Sequence, residues 1–242
     1  MRICVVQLGD INDCFVSSSL NKGFFRKYRD ADIVWLVKGD DERSLFDFTD
    51  RVTALRMSDF LVVDDKPEFD LVVNLTPAIH PSDPIVRAKE VRGFNLEEIS
   101  AEYYDILYGS RKTQMNAFQV YFKLAGMTWR GEGYGMSYYP KTRSKKNTAA
   151  IAINNAKLRH YVNDHVDVDT LRMHLVPYKR NIFKRMDEIN RASYVVTDDQ
   201  LTMHIGIFLR KYVHFLETVP MTTQPEFFGK GQIYKVPAKI AN

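Results

Sequence analysis

The chain has 242 residues, of which 45% are apolar and 26% are charged, and its formal net charge at pH 7 is +4. This composition excludes a chain that is disordered throughout. The apolar runs are far shorter than the roughly 20 residues that span a bilayer, so no transmembrane segment is predicted. The 2 cysteines are too few for a disulfide framework or a zinc site, and the first residues lack the features of a signal peptide. The sequence therefore predicts a cytoplasmic protein.

The first half of the chain alternates between apolar runs and segments with helical periodicity. Strands are predicted at residues 2–8, 33–38 and 70–75, with short extended pieces at 54–57 and 60–63. Helices are predicted at residues 14–28, 44–51, 96–108 and 112–125. In the last helix, Phe118, Tyr121 and Phe122 share one face and are predicted to pack in the core. This alternation predicts a mostly parallel α/β sheet with right-handed crossovers.

The second half repeats this alternation after a segment rich in glycine, tyrosine and basic residues. Residues 136–147 are predicted to be a basic linker between a domain at 1–135 and a shorter one, with its tail, at 148–242. Strands are predicted at residues 148–153, 171–176, 193–197 and 212–216, and helices at 181–190 and 201–209. No periodicity is evident after residue 220. Between residues 153 and 195 there is room for about one strand and one helix fewer than in a complete doubly wound α/β domain, so the second domain is expected to be abbreviated.

The basic charge is regional. Residues 126–185 carry 12 Lys or Arg against 4 Asp or Glu, a balance of +8, whereas residues 1–125 carry a balance of −4. Such a region either attracts a phosphate-bearing partner or is a solvated surface. The residues of the linker cluster that we consider for acceptor binding are Lys141, Arg143, Lys145 and Lys146.

The loop after the first strand holds two carboxylates, Asp10 and Asp13. Ligands bind at the carboxyl ends of strands in open α/β sheets, so either carboxylate is a candidate general base. The alternative is that Asp13 only caps the following helix. The loop is not a dinucleotide fingerprint, and the chain has no P-loop motif.

Two further loops offer groups that suit a phosphate. After the predicted strand at 193–197, polar residues open a helix, where free N–H groups bind anions. The candidates there are Asp199, Gln200 and His204, with simple helix capping as the alternative. After the strand at 148–153 comes a polar, basic loop, whose alternative is a solvated surface. Its candidates are Asn154, Asn155, Lys157 and Arg159.

Five segments, taken in order, resemble glycosyltransferase family 9, the heptosyltransferase-like enzymes. They are MRICVVQLGDIND at 1–13, YRDADIVWLV at 28–37, FDLVVNL at 69–75, VRAKEVRGF at 86–94 and RASYVVTDDQLTMH at 191–204. The last is similar to the family's donor motif, Asp-[Ser/Thr]-Gly-x-x-His. Gln200 and Leu201 stand where the family has Ser/Thr and Gly, and Asn12 stands where it has Gly.

The resemblance implies a GT-B architecture, with two Rossmann-like domains whose mostly parallel sheets face a cleft. The N-terminal domain would bind the acceptor, and the C-terminal domain the nucleotide sugar. Such enzymes invert the anomeric centre and need neither metal nor cofactor. Asp13 falls at the general-base position, and Asp199 and His204 fall in the donor motif. The remaining positions carried over for phosphate contact are Asn154, Asn155 and Arg159.

Three functions are consistent with this resemblance. The first is transfer of a sugar from a nucleotide diphosphate to a hydroxyl of an anionic glycan, such as a lipopolysaccharide core. The second is the same chemistry on a hydroxymethylated base of phage DNA, which the short chain and the +8 segment favour. The third is a non-catalytic module that binds a sugar nucleotide or a glycan.

Overall fold

The computed structural model describes residues 1–77, 86–94, 98–153, 155–166, 171–176 and 181–241. The chain divides into two compact units. The first comprises Met1–Tyr138 with Thr222–Pro225, and the second comprises Tyr139–Met221 with Glu226–Asn242. Each unit is a mostly parallel five-stranded sheet with helices, which confirms the predicted α/β class.

The first unit is built around a central strand, β1. The strands are β1 (Arg2–Gln7), β2 (Asp32–Val37), β3 (Val52–Arg56), β4 (Phe69–Asn74) and β5 (Ala88–Gly93). They run parallel in the order β3-β2-β1-β4-β5. Residues 3–7 of β1 are all buried, because a parallel strand between two neighbours is covered by helices on both faces. The helices are α1 (Ile11–Ser17), α2 (Leu20–Lys27), α3 (Asp40–Ser44), α4 (Met57–Leu61), α5 (Glu98–Leu107) and α6 (Ala117–Leu124).

The second unit has the same kind of sheet. Its strands are β6 (Thr148–Ala152), β7 (Arg172–Leu175), β8 (Tyr194–Thr197), β9 (Tyr212–Glu217) and β10 (Gly231–Lys235). They run parallel in the order β10-β9-β8-β6-β7. Its helices are α7 (Ala156–His165), α8 (Ile182–Asn190), α9 (Gln200–Phe208) and α10 (Ala238–Ala241). The core on one side of β6 and β8 includes Leu158 and Val162 of α7.

Several predictions of secondary structure were wrong. The helix expected at 44–51 is α3 at Asp40–Ser44, because the acidic residues Asp40, Asp41 and Glu42 favour the first turn of a helix. The single helix expected at 14–28 is two helices, because the hydroxyls of Ser17 and Ser18 donate to the carbonyls of Asp13 and Phe15 and compete with the helical pattern. The extended piece expected at 60–63 begins inside α4. Residues after 220, for which no element was predicted, contain β10 and α10. β10 is an edge strand and is only partly buried, so it lacks a strong apolar pattern.

The segment before β6 is held by the second unit. The Lys141 N–H donates to Asp187 Oδ1 (2.7 Å), and the Asn190 amide donates to the Thr142 carbonyl (2.7 Å). The Lys145 N–H donates to the Arg191 carbonyl (2.9 Å). Residues 139–147, most of the predicted linker, therefore lie along the end of α8.

Candidate active site

Each sheet has a point where the strand order reverses. In the first unit the chain moves from β1 outward to β2 and β3, and then returns to place β4 on the other side of β1. In the second unit it moves from β6 to β7 and then places β8 on the other side of β6. Loops that leave the carboxyl ends of two such neighbouring strands diverge, which opens a crevice for ligands. The loops singled out from the sequence follow β1, β6 and β8.

The loop after β1 is held against the loop after β4. The Leu8 N–H donates to Thr76 Oγ1 (2.7 Å), and the Gly9 N–H donates to Gln7 Oε1 (3.1 Å). Asp10 is the N-cap of α1, and its Oδ1 accepts from the N–H groups of Asn12 (2.8 Å) and Asp13 (3.1 Å). Asp10, rather than Asp13, therefore performs the capping role.

Asp13 is not the N-cap and lies in the first turn of α1. Its carboxylate is half-buried, and its Oδ1 accepts a hydrogen bond from the Tyr121 hydroxyl at 2.9 Å. Burial, helped by the negative charge of Asp10, raises the pKa of Asp13 from 3.8 to about 6, although the bonds from the Tyr121 side chain and the Asp10 backbone lower it. A carboxylate with a pKa near 6 is a stronger base than an ordinary aspartate and is still ionised at pH 7.

Sequence reasoning placed Tyr121 in the core and did not connect it with Asp13. Its ring is buried, as predicted, but its hydroxyl reaches a carboxylate 108 positions away in sequence. The Tyr108 hydroxyl also interacts with that of Tyr121. The sequence feature that indicates a polar partner here is a tyrosine in an otherwise apolar stripe, since a buried tyrosine hydroxyl needs such a partner.

In the second unit, β6 and β8 end side by side. Ala152 pairs with Thr197, whose hydroxyl donates to the Ala152 carbonyl at 2.9 Å. The N-terminus of α7 follows β6 and that of α9 follows β8, so the N-termini of two helices gather at one edge of the sheet.

Asp199 caps α9 and is paired with a buried arginine. Its Oδ2 accepts from the Thr202 N–H (2.9 Å) and hydroxyl (2.7 Å), and it lies 3.2 Å from Arg185 Nη2. Arg185 is 4% exposed. This carboxylate therefore organises the start of the helix. Gln200 is the first residue of α9, and His204 lies one turn further on, half-buried.

The candidates after β6 lie on a helix, which corrects the predicted loop. Asn155 caps α7, and its Oδ1 accepts from the Lys157 N–H (2.9 Å). Arg159 is exposed, but its Nη2 donates to the Ile153 carbonyl (3.3 Å), which brings the guanidinium back to the end of β6. The asparagine N-cap and its Asx bond explain why the polar run starts a helix. Asn154 lies outside the described residues.

The basic cluster is not brought together with these donor-site candidates. All four side chains are exposed. Lys145 and Lys146 lie just before β6, and the Lys145 N–H is bonded to Arg191, which lies just before β8. They lie at the amino ends of the strands, whereas α7 and α9 begin at the carboxyl ends. The 5 residues of β6 separate the two edges by roughly 16 Å.

The part of the chain that is described shows neither a metal-binding cluster nor a membrane span. No group of three or more His, Cys, Asp or Glu side chains is arranged there to hold a metal ion. No helix within those same ranges combines the length and the apolar character needed to cross a bilayer.

The structure is similar to solved glycosyltransferases along nearly its whole length. A Veillonella parvula glycosyl transferase family 9 protein matches with a TM-score of 0.69 at 12% identity, over 97% of this chain and 86% of that one. An E. coli ADP-heptose lps heptosyltransferase II matches with a TM-score of 0.62 at 11% identity, over 98% and 91%. An E. coli heptosyltransferase with ADP-2-deoxy-2-fluoro heptose matches with a TM-score of 0.59 at 11% identity, over 98% and 94%.

These neighbours establish the fold. No protein-family model and no curated protein sequence matches the chain. The structural neighbours are nevertheless of the family that the five sequence segments resemble, and they have the GT-B fold. The fold expected from that resemblance is therefore confirmed.

Proposed function

We propose that the protein is an inverting, metal-independent glycosyltransferase that moves a sugar from a nucleotide diphosphate to a hydroxyl of an anionic acceptor. The observation that carries the proposal is the Asp13 carboxylate. It lies after β1 at the strand-order reversal, where Asp10 and not Asp13 is the N-cap of α1, and it has a pKa of about 6. The fold shared with heptosyltransferases supports the same chemistry.

In this reaction Asp13 acts as the general base. Its carboxylate takes the proton of the acceptor hydroxyl as the hydroxyl oxygen attacks the anomeric carbon of the donor. The bond between that carbon and the diphosphate oxygen breaks in the same displacement, so the configuration at the carbon inverts. The products are the glycosylated acceptor, a nucleoside diphosphate and a protonated Asp13, which then releases its proton to water.

The second unit would bind the donor diphosphate. The N-termini of α7 and α9 lie at the ends of adjacent strands, where both helix dipoles would stabilise a diphosphate. Arg159 adds a positive charge at the same edge, and His204 lies one turn into α9. These groups would also stabilise the charge that develops on the leaving diphosphate.

The acceptor is proposed to be a phosphorylated glycan of the lipopolysaccharide-core kind. One structural neighbour is an ADP-heptose lps heptosyltransferase, and the net charge of residues 126–185 favours a polyanion. That charge equally suits DNA, so a duplex containing a hydroxymethylated base is the second acceptor to assay.

The experiment begins with nucleotide sugars and the wild-type protein. A thermal-shift screen identifies the donor, because a ligand at 100 times its Kd adds about 2.7 kcal/mol to the free energy of unfolding. Transfer is then measured with both acceptors, with and without a chelator, and the anomeric configuration of the product is read by NMR. Retained configuration or loss of transfer in the chelator contradicts the proposed mechanism.

Asp13→Asn tests the base. We expect this variant to keep its fold and donor binding but to lower transfer by ~10²–10⁴-fold. Asp47→Asn is the matched control, because Asp47 is an exposed aspartate of the same unit and normal turnover is expected. Near-normal turnover by Asp13→Asn would move the assignment to Asp10. Donor binding by the wild-type protein without transfer or hydrolysis would indicate a non-catalytic module.

A further inference from the structure

We propose that Tyr121 is a positioning residue that fixes the Asp13 carboxylate by one oxygen, so that Oδ2 is the atom that accepts the proton of the acceptor hydroxyl. This inference rests on the proposed function, in which Asp13 is the base. It adds a residue on α6, far from Asp13 in sequence, whose role no motif indicates.

The two oxygens of Asp13 have different surroundings. Oδ1 accepts from the Tyr121 hydroxyl at 2.9 Å. Oδ2 lies on the side of Gly9, so close that a Cβ on Gly9 would overlap it. Among the described residues, the side-chain donor to this carboxylate is the Tyr121 hydroxyl, and the Asp10 backbone N–H is a further hydrogen-bond partner of the carboxylate. Tyr121 therefore supplies the side chain that holds Oδ1, whereas Oδ2 lies beside a residue without a side chain.

Tyr121 is itself rigidly held. It is 1% exposed, and its neighbours Val120 and Phe122 on α6 are fully buried. The helix starts with a capping box, in which Asn116 and Gln119 each accept the other's backbone N–H at 2.9 Å. A donor on such a helix confines the carboxylate to one rotamer, and small errors in the placement of a base lower catalytic rates strongly.

The hydroxyl is a permanent donor. Burial raises the pKa of Tyr121 well above 10, so the phenol stays protonated throughout the pH range of an assay. The Tyr108 hydroxyl interacts with that of Tyr121 from the segment after α5, and burial raises its pKa as well. The pKa of Cys14, the next residue of α1, is also raised by burial, with a contribution from Glu42 of α3. The Asp10 carboxylate acts on both Asp13 and Cys14 as well, so the titratable groups around the proposed base come from α1, α3, α6 and the segment after α5.

Tyr121→Phe removes the hydroxyl and keeps the ring. A hydrogen bond to a carboxylate favours the ionised form, so its loss is expected to move the pKa of Asp13 upward by about 1–2 units. The acidic limb of the pH profile of kcat should move upward with it, and kcat on the plateau should fall by ~10-fold because the carboxylate is no longer held in one orientation. The KM of the donor should not change.

Tyr134→Phe is the matched control. Tyr134 is a buried tyrosine of the same unit at 4% exposure, and it packs against Phe15 and Phe118. Its variant loses a buried hydroxyl without touching Asp13, so the pH profile should stay at its wild-type position. A lower plateau in Tyr121→Phe with an unmoved acidic limb would mean a structural role only and would overturn the proposal.

A measurement without turnover separates this inference from the proposed function. With ¹³C-labelled aspartate, NMR titration reports the pKa of Asp13 in the free protein, whether or not any sugar is transferred. An upward shift in Tyr121→Phe supports the coupling even if no donor is found, and an unchanged pKa overturns it even if transfer is observed.

If Tyr121→Phe does not fold, Tyr108→Phe probes the same hydroxyl chain from a ring that is 39% exposed. A smaller upward shift is then expected, and no shift overturns the proposal.

Discussion

Gly9 and Asp13 are packed so closely that Gly9 has no room for a side chain. A Cβ at position 9 would overlap Asp13 Oδ2 and would lie 2.8 Å from Asp13 Cγ. The contact is between the first residues of the loop after β1 and the first turn of α1, so the glycine determines where the proposed base sits.

Gly9→Ala should therefore displace the carboxylate. We expect kcat to fall by ~10–100-fold, because the methyl group pushes Asp13 away from its position by about an ångström. Donor affinity should not change, since the donor candidates belong to the second unit. Steady-state kinetics on the purified variant, with circular dichroism to verify folding, provide the measurement.

Gly39→Ala is the control for this substitution. Gly39 follows the neighbouring strand β2 and precedes α3, so it occupies the equivalent place one strand along. A Cβ there would meet only the end of the half-buried Glu42 side chain, at 3.0 Å. Its kinetics should match those of the wild-type protein. Wild-type kcat in Gly9→Ala would contradict the proposed place of the base.

The raised pKa of Asp13 also predicts how the free energy of unfolding depends on pH. The folded carboxyl has a pKa of about 6 against an ordinary 3.8, so between these values the folded state binds more protons than the unfolded state. Stability is therefore lost as the pH rises from about 4 to about 6 and stays reduced above that range. Asp13→Asn removes this penalty while keeping an oxygen that can accept from Tyr121.

We expect Asp13→Asn to be more stable than the wild-type protein by about 1–2 kcal/mol at pH 7.5, after allowance for partial solvent exposure. The difference should vanish below about pH 4, where the Asp13 carboxyl of the wild-type protein is protonated in both the folded and the unfolded state. Urea unfolding at both pH values measures it. Equal stability of the two proteins at pH 7.5 would show that the Asp13 carboxylate is not strained by burial.

The sequence was most informative about the buried strands and the loops that leave them. The apolar runs at β1, β2 and β4 were visible because strands in a parallel sheet are buried on both faces. Elements that lack such a pattern were missed. The five residues of α4 are too few for helical periodicity, and the partly buried edge strand β10 has no continuous apolar run.

The tertiary features of the candidate site could not be predicted from local patterns. The position of β4 beside β1 creates the strand-order reversal, and strand order is determined by packing between distant segments. The bond between Tyr121 and Asp13 joins residues 108 apart, and the pair of Arg185 with Asp199 joins α8 to the start of α9. Each polar residue alone is compatible with a solvated surface, and only the fold brings the partners together.

The donor site is tested by two substitutions at the carboxyl ends of β6 and β8. Arg159→Ala removes the guanidinium that is bonded to the Ile153 carbonyl, and His204→Ala removes the imidazole of α9. Each should weaken donor binding by about 1–3 kcal/mol, as expected for the loss of a hydrogen bond to a charged group. Isothermal calorimetry with the nucleotide sugar found in the screen gives the affinities.

His160→Ala is the control, because His160 is the exposed residue next to Arg159 on the same helix. Its donor affinity should equal that of the wild-type protein. Unchanged affinity in both Arg159→Ala and His204→Ala would reject this edge of the second sheet as the diphosphate site.

The basic cluster gives the last prediction, which concerns the acceptor. Lys141, Arg143, Lys145 and Lys146 are exposed, and Lys145 and Lys146 lie at the amino edge of the second sheet, away from the donor candidates. Changing all four to Gln should therefore leave donor affinity unchanged. If the cluster attracts a polyanionic acceptor, the variant should bind that acceptor more weakly and with a flatter dependence on salt.

The salt dependence also distinguishes the two acceptors. Each phosphate contact with duplex DNA contributes about 0.9 to the slope of log K against log salt, so four lost contacts would lower the slope by about 3–4. A glycan with few phosphates would show a smaller change in this slope.

The control changes the exposed residues Lys38, Lys112, Lys230 and Lys239 to Gln, because these substitutions remove the same total charge from other places. Equal slopes in the cluster variant and the wild-type protein, for both acceptors, would reject the cluster as an acceptor site. If the two quadruple variants lost acceptor affinity equally, only the net charge of the protein would matter, because the position of the cations would have no effect.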